Sequence, residues 1–131
     1  MADDPEKKKS ELTEDELNRY WDAYSASVRT QIVAKEKLQI IEDSTMDLGE
    51  RSGYRADRLR VEANAELLEA KRIAFDAANA KVNPPSDADV GQVRALATSV
   101  AEETADRNRA KAILGAATTA MTKFSQIQPK P

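Results

Sequence analysis

The chain has 131 residues, a net charge of −3, and neither cysteine nor histidine. It therefore has no disulfide, no thiolate nucleophile and no Cys/His metal-ligand set, and it lacks the commonest general base and pH switch. Charged residues make up 33% and aromatics 5%, with four glycines, a profile that favours long helices in a single domain.

The small negative charge supplies no global reason to bind nucleic acid. No stretch approaches the ~18 consecutive apolar residues of a membrane span. The opening residues run from Met1 through Asp3, Asp4 and Glu6 into Lys7, Lys8 and Lys9, without the apolar core of a secretory signal, so the cytoplasm is the expected compartment. Residues 1–16 hold seven carboxylates against three lysines, so the acidity is concentrated there.

Residues 1–11 are polar and are expected to be a disordered tail. Thr13 with Glu16 forms a capping box, and Glu14, Asp15 and Glu16 suit the positive end of a helix dipole. The first helix is predicted over about 13–46. Gly49 and Gly53 are candidate C-terminal caps, and Asp47 with Glu50 reads as the next capping box, which places the turn within 44–53.

The second helix, about 50–82, carries a large apolar residue every seven positions: Tyr54, Val61, Leu68, Phe75 and Val82. A second apolar face holds Leu59, Ala63, Ala70, Ile73 and Ala77, which suits a helix touching two neighbours. Asn83-Pro84-Pro85 stops it, because proline lacks the N–H and restricts its predecessor. Ser86 then caps a third helix, about 86–126, with Asp87 and Asp89 in its first turn. Residues 128–131 are expected to be a second disordered tail.

Along the third helix Val93, Leu96, Val100, Ala110, Leu114, Ala117, Met121 and Phe124 keep a 3-4 spacing broken only by Glu103 and Arg107. On the first helix Leu17, Trp21, Tyr24, Val28 and Leu38 follow the same spacing, with Gln31 and Lys35 interrupting at mid-length. The fold predicted is all-α: one domain over 12–127, an elongated up-down-up antiparallel three-helix bundle with coiled-coil-like packing. In that arrangement Gln31, Lys35, Asn64, Glu103 and Arg107 fall at similar heights and form a polar core layer that fixes register.

Taking 100° per residue, Trp21 and Tyr24 lie on the core stripe and Tyr20 about 100° from Trp21, so Tyr20 is the aromatic expected at a surface contact. Val33 and Ile40 form a separate apolar line, seven apart, and join Tyr20 as protein-binding candidates. Arg51, Arg55 and Arg58 make a basic stripe, with Glu42, Asp43, Asp47 and Glu50 close by to pair with it. Ala112, Gly115, Ala116, Ala117 and Ala120 make a small-sided surface that suits close packing within the bundle, with a homodimer seam as the alternative.

Dinuclear carboxylate bundles need Glu-x-x-His pairs, which are absent here. There is no Walker A, Rossmann, nucleophile-elbow or zinc pattern. No catalytic, cofactor or metal residue is assigned. The reading is a non-enzymatic bundle that binds another protein along a helix face, as an inhibitor or immunity-type partner, a chaperone or an adaptor. An acidic segment beside an aromatic patch would suit a basic target. The alternative is a self-assembling, homo-oligomeric structural protein.

Overall fold

Thr13 opens the first helix as its capping box predicts. The Glu16 N–H donates to Thr13 Oγ1 at 3.1 Å, and the Thr13 N–H donates back to Glu16 Oε1 at 2.9 Å. In the computed structural model, which describes residues 6–130, this helix α1 spans Glu14–Asp43. Asp47 caps the next helix by accepting from the Glu50 N–H at 2.9 Å, and α2 spans Leu48–Asp76. The turn therefore occupies 44–47, and Gly49 and Gly53 lie inside α2.

Helix α2 stops short of Val82. Ala78 adopts a left-handed φ of 59°. The Asn79 N–H then donates to the Ala74 carbonyl at 2.9 Å and the Ala78 N–H to the Phe75 carbonyl at 3.1 Å, which closes the helix end. The chain leaves as a short strand, Lys81–Val82, paired antiparallel with Lys7–Lys8.

That pairing corrects the expectation of a disordered tail over 1–11. Residues 1–5 lie outside the described residues, but residues 6–11 are held down. Lys7 Nζ reaches Glu16 at 3.1 Å, and Lys9 Nζ reaches Asp76 at 3.3 Å while lying 5.7 Å from the centre of the Phe75 ring. Strand pairing plus two ion pairs anchors a segment whose composition alone signals solvation.

The larger correction concerns the third predicted helix. It is two helices, α3 (Asp87–Glu102) and α4 (Ala110–Ile127). At 1.5 Å per residue, one helix over 86–126 would be about 60 Å long, against about 45 Å for α1. The chain instead turns at Glu103, where the backbone becomes extended, and α4 runs back along α3. The two charges that interrupt the seam mark this turn.

Two core clusters fix the directions. One gathers Tyr20, Phe75, Val90 and Ile127, and the other Ile41, Val61, Val100 and Ala110. Helices α1 and α3 thus run one way, and α2 and α4 the other. Among the described residues the architecture is a four-helix bundle rather than the predicted three. Helix α1 packs against the other three, α4 does likewise, and α2 and α3 stand on opposite sides. No helix among the described residues is long and apolar enough to cross a membrane.

Candidate protein-binding surfaces

The predicted polar layer is brought together only in part. Gln31 is fully buried, donates through Nε2 to the Ala117 carbonyl at 2.8 Å, and accepts from Asn64 Nδ2 at 3.3 Å. The other three members lie elsewhere. Lys35 is exposed and pairs with Glu62 at 3.3 Å, and Arg107 pairs with Glu50 at 3.3 Å. Glu103 ends α3 and clasps Arg109, Oε1 accepting at 2.7 Å. The break in the third helix removes the height match on which the five-residue layer depended.

Lys37, just below this turn, does work that the periodicity did not assign to it. Its ammonium donates to the carbonyls of Val100 at 2.9 Å, Ala101 at 2.7 Å, and Glu103. A cation is thus supplied in trans to the negative end of α3, satisfying carbonyls that a helix terminus leaves unpaired.

Of the three binding candidates, Tyr20 is excluded as a surface contact. It is fully buried, stacked on Phe75 with ring centroids 3.9 Å apart, and its hydroxyl donates to Gln128 Oε1 at 2.6 Å. Burial, its first cause, pushes its pKa well above the usual tyrosine range. Trp21 and Tyr24, expected in the core, are half-buried on the flank of the cluster. In its middle, between Tyr20 and Leu38, helix α1 buries mainly small residues, Ala23, Ala26, Ser27, Thr30 and Ala34, which let three helices approach it. The aromatic stripe flanks them. Val33 is half-buried against the inner cluster, and only Ile40 of the three is exposed.

The expected C-terminal tail is also partly core. Gln128 is fully buried, while Pro129 and Lys130 are exposed and Pro131 lies outside the described residues. Gln128 Nε2 donates to the Lys71 carbonyl at 2.7 Å, and Lys71 Nζ donates to the Gln128 carbonyl at 2.6 Å. Burial lowers the Lys71 pKa. The signal for Lys71 was in the sequence: it sits three residues after Leu68 and four before Phe75, on the buried line of α2. Nothing about Gln128 in the sequence distinguished it from the tail.

The basic stripe is mostly neutralised. Glu42, 3% exposed, accepts from Arg58 Nε at 2.8 Å and Arg55 Nε at 3.0 Å. Its pKa is held below the usual range, first by Arg58 and then by Arg55. Of the small-sided residues, Ala116, Ala117 and Ala120 are buried within the bundle and Ala112 and Gly115 are exposed. No group of three or more potential ligand side chains is placed to hold a metal ion among the described residues.

Among the described residues, two of the open surfaces carry apolar side chains at helical spacing. An open groove of about 930 Å³ runs between α1 and α3. Tyr24, Val28 and Ile32, one helical turn apart, line one wall, with Ala97, Thr98 and Ala101 opposite. Asp22, Arg29, Arg94 and Glu102 also line it, and Arg94 bridges to Asp22 at 3.1 Å. The second surface is the outer side of α2, where Leu59 (51%) and Ile73 (54%) are exposed. No protein-family model, no curated protein and no solved structure matches this chain.

Proposed function

We propose that this chain is a non-enzymatic protein-binding bundle, and that its groove between α1 and α3 receives an amphipathic helix of another protein. The observation that carries this is the line Tyr24, Val28, Ile32. It presents an apolar wall at i, i+4 and i+8 beside small residues that leave room, with Ile32 49% exposed. That is the layout of helix-in-groove recognition, in which anchors at helical spacing enter an apolar channel. The groove holds two acidic and two basic side chains, so it suits a partner of mixed charge better than the strongly basic one that the acidic first segment suggested. Inhibitors, secretion chaperones and adaptors all act by such capture, and the partner determines which of these the protein is.

Co-purification from the native host tests the proposal with three baits: wild type, Ile32→Asp with Thr98→Arg, and Ile40→Asp as an exposed apolar change outside the groove. The expected result is one stoichiometric protein held by wild type and by Ile40→Asp and lost with the groove variant at unchanged helicity. A helical peptide from that protein should then titrate wild type in solution. Equal recovery with all three baits, or no stoichiometric protein, overturns the groove as the site.

A further inference from the structure

The outer face of α2 carries an unbroken heptad seam with nothing against it. Ala56, Ala63, Ala70 and Ala77 recur every seven residues, and Ser52, Leu59, Glu66 and Ile73 recur every seven between them. The steps alternate four and three from Ser52 to Ala77, a run of about 39 Å at 1.5 Å per residue. All eight positions are exposed. At 100° per residue they lie opposite Val61, Leu68 and Phe75, which α2 buries in the bundle. Only Glu66 among them is charged.

We infer that this face pairs with the same face of a second copy of the chain, antiparallel, about a two-fold axis passing between Asn64 and Ala65. The sequence is complementary to itself in that register. Leu59 meets Ala70 of the second copy, Ile73 meets Ala56, Glu66 meets Ala63, and Ser52 meets Ala77. Every layer sets one alanine against one larger side chain, so the seam interdigitates without voids and the helices approach closely. The parallel alternative stacks alanine on alanine and large side chain on large, leaving gaps; Glu66 lies near its own copy in either orientation, about 4.5 Å along the axis in the antiparallel one. Flanking charges do not choose the orientation: at the ends Arg55 falls beside Asp76 of the second copy, but Arg55 is held by Glu42 and Asp76 by Arg72 and Lys9 in their own chain. Glu62 would face Glu69 nearer the middle, but Glu62 is already held by Lys35 at 3.3 Å and Arg58 at 3.2 Å in its own chain.

The pairing is independent of the groove described above. Helix α3 stands on the far side of the bundle from α2, so a dimer formed through α2 leaves both grooves open. Failure of either proposal is therefore readable without the other.

Two experiments test it. Sedimentation equilibrium over a wide concentration range should give twice the 14.4 kDa chain mass for wild type. Leu59→Asp with Ile73→Asp should return the mass to a single chain with unchanged circular dichroism, and Glu66→Leu should tighten the dimer. Because the chain has no cysteine, orientation is read directly. Chains carrying Leu59→Cys and Ala70→Cys, mixed and mildly oxidised, should cross-link to each other and neither to itself. A wild-type monomer at all concentrations, a dimer indifferent to the double aspartate variant, or self-linking of Leu59→Cys overturns the inference.

Discussion

Lys71 and Gln128 hold each other at two points. The lysine ammonium donates to the Gln128 carbonyl at 2.6 Å, and the glutamine amide donates to the Lys71 carbonyl at 2.7 Å. Gln128 Oε1 also accepts from the buried Tyr20 hydroxyl. One fully buried side chain beyond the end of α4 thus joins α1, α2 and the C-terminal segment.

Removing that side chain leaves the Tyr20 hydroxyl and the Lys71 carbonyl without these partners. A buried polar group left unpaired costs about 1–3 kcal/mol. The Lys71 carbonyl keeps its helical N–H partner within α2, so Gln128→Ala is expected to lose about 1–3 kcal/mol in urea unfolding, the cost of the Tyr20 hydroxyl alone. Gln126→Ala, whose side chain is exposed, should change stability by less than about 0.5 kcal/mol. Equal effects would show that the buried network does not hold the terminus.

The buried ammonium makes an alkaline prediction with a definite sign. Burial lowers the Lys71 pKa below its ordinary 10.5, so the unfolded chain binds more protons there than the folded one. Its contribution to stability is thus fully present above 10.5 and lost as pH falls through the folded value. Stability of wild type relative to Lys71→Met should rise as pH climbs towards 10.5. Tyr20 acts in the opposite sense, because its pKa is raised: its contribution is full below 10.0 and lost as pH rises through the folded value. Wild type relative to Tyr20→Phe should therefore lose stability above about pH 10. Urea midpoints measured across this range check both signs.

Much of the helical framework was legible because its signals are local. Thr13 with Glu16, and Ser86 with Asp89, start their helices where the capping boxes stand. The turn at 103–106 was not legible, because it contains no glycine or proline. Glu103 and Arg107 interrupted the seam, and a charge in a seam reads equally as a polar layer or as a place to leave the helix. Tertiary contact decides between them, through Lys37 on the α3 carbonyls and Glu103 on Arg109. The aromatic phase was misread for a related reason. A large side chain on a stripe reads as core, whereas between Tyr20 and Leu38 the helix that packs against three others buries mainly alanine, serine and threonine. Helix α2 was read as having two apolar faces, and the bundle occupies only one of them.

The acid side of the stability curve should depend on Glu42. Its carboxylate is buried and held by Arg58 and Arg55, which keep its pKa below the ordinary 4.5. A lowered folded-state pKa gives stability that is present above the unfolded value and lost as pH falls through the folded one. Wild type should therefore weaken steeply below about pH 4.5. Glu42→Gln should be less stable at neutral pH and show a shallower acid slope. An unchanged slope would assign acid unfolding to other carboxylates, of which Glu16 and Glu103 also have lowered pKa values.

Ala78 supplies a prediction of the opposite kind, a gain. Its φ of 59° closes the end of α2, in a region where a Cβ meets the following carbonyl. The left-handed conformation costs an L-residue roughly 1–2 kcal/mol, while glycine there adds about 0.5–1 kcal/mol of unfolded-chain entropy to be lost. Ala78 is exposed, so no packing is given up. Ala78→Gly should stabilise by about 0.5–1 kcal/mol and raise the melting temperature by a few degrees. The same change at Ala77, whose φ is −80°, relieves no such strain and should lower stability. Thermal melts of the two variants beside wild type decide it: a loss at both positions would mean that the left-handed backbone at Ala78 carries no measurable penalty.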